Sequence, residues 1–71
     1  MINKIKDDIK NKKGQSFHFR FNGARNQIEE FDGIIIEVYN YVFIIKTINE
    51  REELRSFTYS DVLINNLEIF S

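Results

Sequence analysis

In the stretch FHFRFNGARN, Phe17, Phe19 and Phe21 alternate with His18 and Arg20, and Arg25 follows at a turn. Rings interleaved with cations are the composition of a base-stacking surface, in which the rings take nucleobases and the cations take phosphate. Lys12, Lys13, Tyr39 and Tyr41 extend that inventory, the lysines for phosphate and the tyrosines for stacking. The same spacing is also that of a strand burying one face, with the rings in a core and the cations in water.

Acid–base and metal chemistry find little to work with. His18 is the only histidine and there is no cysteine, so a metal site would lack its usual second imidazole or thiolate. Asp7-Asp8, Glu29-Glu30 and Glu52-Glu53 are adjacent pairs, and neighbours on a strand point to opposite faces. Ser16, Ser56, Ser60 and Ser71 have no base in a triad pattern, and no glycine-rich phosphate loop occurs. No catalytic, cofactor or metal site is expected, and the chain reads as a non-enzyme.

These residues must be positioned by a small scaffold. Seventy-one residues suit one domain, 1–71, close to the lower size limit for folding without disulfides or metals. The missing cysteines, signal peptide and bilayer-length apolar run point to the cytoplasm, with no membrane association. Net charge is −1, but Lys4, Lys6, Lys10, Lys12, Lys13, Arg20 and Arg25 crowd the first part while most carboxylates follow. A polarised chain of this kind is consistent with an anionic partner.

Ile2, Ile5 and Ile9 recur at helical spacing and Gly14 is a natural stop, which predicts a helix over about 2–12. Period-two alternation begins at Ser16, so the core takes the three Phe rings and the exposed face is left with His18 and Arg20. A long second strand runs from about Asn26 to Tyr39. Its apolar phase slips near Gly33, where a bend is expected. Val42 to Ile48 is a nearly continuous apolar run, as in a strand covered on both faces, here by the barrel interior and the N-terminal helix. Leu54–Tyr59 and Leu67–Phe70 read as strands separated by one helical turn. Asp61 is expected to accept backbone N–H groups there. The fold class is mainly β: a small five-stranded antiparallel SH3-like or Sm-like barrel, over about 16–70, with an N-terminal α-helix.

From the turn onward the sequence resembles the Veg family of bacterial biofilm-formation stimulators. Gly23 and Arg25 in NGARNQIEEFDG, and Gly33, Tyr39, Val42 and Phe43 in GIIIEVYNYVFII, carry the likeness. So do Ser56, Tyr59, Asp61, Val62 and Leu63 in RSFTYSDVLINNLEIF, and with DDIKNKKG it covers nearly the whole chain. The resemblance implies an Sm-like barrel without enzymatic activity that regulates gene expression through a partner protein. Asn26 and Gln27 stand where the family tends to continue with basic residues, which thins the basic loop.

Three functions follow as expectations. The first is a regulatory adaptor that binds another protein. The second is direct binding of RNA or single-stranded DNA through Arg25, Arg20, Lys12 and Lys13, with Tyr39 or Tyr41 stacking. The third is homo-oligomerisation through strands four and five. Arg25 is expected to be the decisive contact, with Glu50, Glu52 and Glu53 as the alternative surface.

Overall fold

The computed structural model describes residues 2–23, 27–48 and 51–70. Helix α1 (Ile2–Asn11) leads into five antiparallel strands: β1 (Ser16–Asn22), β2 (Ile28–Val38), β3 (Val42–Thr47), β4 (Leu54–Thr58) and β5 (Leu67–Phe70). A short helix, α2 (Tyr59–Leu63), separates the last two. The sheet order is β4-β3-β2-β1-β5, so β4 and β5 form its two ends and α2 links them along the chain. The mainly β fold with a leading helix is the one the sequence periodicity predicts.

Gly14 ends α1 in the left-handed region, φ 86°, and its N–H donates to Ile35 O at 2.7 Å. That bond ties the helix exit to β2. Helix α1 lies against α2 and β2, burying Ile9 and half-burying Ile5. The side chain of Ile2 is outside the description.

The core is aromatic. Phe19, Phe31, Phe43, Phe57 and Tyr59 are buried with Ile9, Ile35, Ile45 and Leu67. Phe19 stacks on Phe31 at 5.5 Å between centroids, and Phe43 on Tyr59 at 5.6 Å. Phe19 is fully buried, with Phe17 and Phe21 packed half-buried against the cluster, so the Phe face of FHFRF belongs to the interior. Arg55 covers one end of this core. Its guanidinium lies 5.1 Å from the Phe31 centroid and 5.5 Å from that of Phe57, and donates to Glu29.

Two details of β2 differ from the sequence reading. Phe31, Gly33 and Ile35 all face inward in unbroken alternation, so the phase does not slip at Gly33. The irregularity comes later: Ile35 pairs with Ile45 but Glu37 with Ile44, leaving Ile36 as the bulged residue. Gly33 is glycine because of crowding. A Cβ there would stand 2.5 Å from Ile45 Cγ2 and 3.1 Å from Lys46 O.

The β3 run is likewise covered on one face only. Phe43, Ile45 and Thr47 are buried, whereas Val42, Ile44 and Lys46 are half-exposed and Ile48 is exposed. Helix α1 packs against α2 and β2 and so leaves the outer face of β3 to solvent. Buried Thr47 is satisfied locally: its hydroxyl donates to Arg51 O and accepts from Glu53 N, both at 2.8 Å.

Candidate partner-binding surface

The β2–β3 connection is a tight hairpin with Asn40 and Tyr41 at its tip, closed by Tyr39 N–H donating to Val42 O at 2.8 Å. Two-residue hairpins normally use positive φ at the tip, but Asn40 and Tyr41 both keep negative φ. Side chains from elsewhere hold the tip instead. The buried Tyr59 hydroxyl donates to Tyr39 O and, more weakly, to Val42 O at 3.2 Å. Burial pushes the Tyr59 phenol pKa up, which keeps it protonated and donating. Lys6 of α1 adds an outer tether, Nζ to Asn40 Oδ1 at 3.1 Å.

Tyr59 is in turn fixed by the start of α2. Thr58 Oγ1 accepts from Asp61 N at 3.1 Å and Asp61 Oδ2 accepts from Thr58 N at 3.2 Å, a reciprocal capping box. Asp61 thus has the capping role its position implies.

The consequence is two tyrosines displayed on an anchored loop. Tyr41 is 84% exposed and Tyr39 52%. Beside them lies a recess of about 350 Å³ lined by Asn40, Tyr41, Thr58, Tyr59 and Ser60. A rigid, exposed tyrosine offers large amphipathic contact area at low entropy cost, the usual anchor of a protein interface.

The remaining site residues named from the sequence do not converge on one patch. Arg20 lies on the outer face of β1, opposite Glu30 on one side and Glu68 on the other, with its Nε enclosed and without a hydrogen-bond partner. Lys13 reaches Glu37 at 3.7 Å. From Glu30 to Glu37 along β2 is roughly 20 Å at the rise of a strand. Lys12 lines a separate groove between α1 and β5 with Asp8 and Glu68. Arg25 and Glu50 lie outside the described residues. Glu52 pairs with Lys46 at 3.3 Å.

His18 is half-exposed, but it is not idle. Nδ1 lies 2.9 Å from Asp32 Oδ1 and Nε2 lies 3.0 Å from Glu30 Oε1. A neutral imidazole has one N–H, so it can satisfy only one of two acceptor carboxylates; the imidazolium satisfies both. The hydrogen bond to Glu30 first, then that to Asp32, raises the His18 pKa. The stability this clamp adds is therefore fully present below the ordinary imidazole value of about 6.5 and is lost as pH rises through the higher folded-state value. An NMR titration of the His18 ring should show a midpoint above 6.5, and Glu30→Gln or Asp32→Asn should move it back down. A midpoint at the ordinary value in the unaltered protein would refute the clamp.

The sequence reading missed Lys6, Asn40 and the Tyr59 tether. It also missed the two carboxylates on His18, since only the β1–β2 register puts Asp32 opposite that residue. Among the described residues no group of His, Cys, Asp and Glu is arranged to hold a metal, and no helix is long and apolar enough to cross a membrane.

The fold and surface together define a small β-sheet domain that presents an anchored aromatic hairpin beside a lysine-bearing helix. The chain belongs to the biofilm formation stimulator VEG family, whose model matches residues 1–70. No curated protein matches it. Membership of a family described as biofilm stimulators assigns the chain to a regulatory role.

Proposed function

We propose that this protein regulates gene expression in biofilm formation without catalysis, by binding a partner protein through the Tyr39–Tyr41 hairpin. The observation that carries this reading is the pair of exposed tyrosines on a loop fixed from below by the Tyr59 hydroxyl. The electrostatics favour it over nucleic-acid binding. Lys13, Lys46 and Arg55 are ion-paired with Glu37, Glu52 and Glu29, and the His18–Arg20 face carries Glu30, Asp32 and Glu68. Phosphate contacts would have to compete with those carboxylates.

The test is an affinity pull-down from the source cells with wild-type protein and Tyr41→Ala, each with and without nuclease. A central interface tyrosine is worth about 2 kcal/mol or more, roughly 30-fold in affinity. Tyr41→Ala should therefore lose the partner while its melting temperature stays near wild type, because the ring is exposed. Retention by Tyr41→Ala would exclude the hairpin. Loss of every partner after nuclease, or a steep fall in binding with salt, would place nucleic acid in the partner's role.

A further inference from the structure

The hairpin does not stand alone at its end of the molecule. Lys6 touches Asn40 and Lys13 touches Glu37, so one side of α1 runs along the end of β2 and its turn. Lys10 is four residues after Lys6, and Lys13 N–H donates to Lys10 O at 3.2 Å, continuing the helical path. Residues three and four apart are neighbours on a helix surface. Lys6, Lys10 and Lys13 therefore form one row, which meets the Tyr39–Tyr41 hairpin through Lys6 at Asn40 and meets β2 through Lys13 at Glu37.

The row is interrupted by negative charge. Asp7, three residues before Lys10, and Glu37, paired with Lys13, stand within it. A phosphodiester chain carries a charge at every nucleotide and would meet both carboxylates. A polypeptide can place neutral residues opposite them and its own carboxylates opposite the lysines. Resting on the partner-protein reading above, we propose that the hairpin and this lysine row together receive an acidic segment of the partner. An apolar side chain of the segment sits against Tyr39 and Tyr41, and its Asp or Glu residues face Lys6 and Lys10, Lys13 being already paired with Glu37. In such a division the rim charges govern the association rate and its salt dependence, while the buried anchor governs dissociation.

The full chain can be tested by NMR titration with a twelve-residue Glu-rich peptide carrying a central Leu and Phe, and separately with a (dT)12 oligonucleotide. The peptide should shift the amides of Tyr39, Asn40, Tyr41, Lys6 and Lys10. Lys10→Glu, an exposed position, should weaken it about tenfold at low salt and little at high salt. Tyr41→Ala should weaken it at both. Three results overturn the proposal: no shift with millimolar peptide, tighter binding of (dT)12 at the same residues, or peptide affinity indifferent to Lys10→Glu. Concentration-dependent shifts of the protein alone, abolished by Lys10→Glu, would also overturn it by making a second copy the occupant. A pull-down that depends on Tyr41 but not on Lys10 would leave the partner-protein reading standing and remove only the acidic segment.

Discussion

Gly33→Val should lower the unfolding free energy by about 3 kcal/mol, the upper range for overpacking a core. Gly33 faces inward between β1 and β3, paired with Phe17 and Thr47. Its missing side chain is the space that Ile45 occupies, since a Cβ would meet Ile45 Cγ2 at 2.5 Å. Ile45 can be pushed aside at the expense of its own packing. Lys46 O, at 3.1 Å, is backbone of the adjoining strand and moves only if the ladder moves. Gly33 does not adopt the left-handed conformation, so alanine is compatible with its backbone and its cost reports crowding alone. Gly33→Ala should accordingly lose less than Gly33→Val. Urea denaturation of the two variants measures both costs. Equal stability of wild type and both variants would mean that β2 and β3 do not approach so closely.

Ile9→Ala should destabilise by about 2–5 kcal/mol, the range for truncating a buried isoleucine. Ile9 is 2% exposed and is the α1 residue that enters the core. Truncation leaves a void bounded by α1, α2 and β5, next to the groove that Ile5, Val62 and Leu67 already line. Ile5→Ala should cost less, since Ile5 is half-buried. Asn3→Ala, on the exposed side of the helix, should stay within about 0.5 kcal/mol of wild type. Thermal melts of these three variants, with a deletion of residues 1–12, establish whether the helix is docked. An unchanged melt for Ile9→Ala would show that it is not.

The order and kind of elements were legible in the sequence because each follows from a local pattern. Ile2, Ile5 and Ile9 announce a helix, FHFRF a strand buried on one side, and DVL after Ser60 a short turn of helix. The register of β2 was not legible. Ile34, Ile36 and Val38 read from the sequence as one alternating apolar face, but Ile35 between them is apolar too, and it is Ile35 that enters the core. The inward residue before them is a glycine, which carries no apolar signal at all. Packing resolves the ambiguity by placing Ile35 inside and bulging Ile36. The surface was half legible for a similar reason. Tyr39 and Tyr41 are visible as types, but the groups that fix and flank them come from Lys6 and Tyr59, far away in sequence. The Arg20 side of the molecule looked basic because its carboxylate neighbours, Glu30 and Glu68, arrive from other strands.

The tether from Tyr59 also sets an order of events during synthesis. The hairpin tip leaves the ribosome before the residue that anchors it, which follows Tyr39 by 20 positions. Tyr59 opens helix α2, and the capping box that fixes it, Thr58 with Asp61, spans the same stretch of chain. A nascent or truncated product ending before α2 carries both display tyrosines yet lacks the hydroxyl that poses them. Incomplete chains should therefore compete poorly for whatever the finished protein binds, and recognition becomes a report that translation has passed the fourth strand.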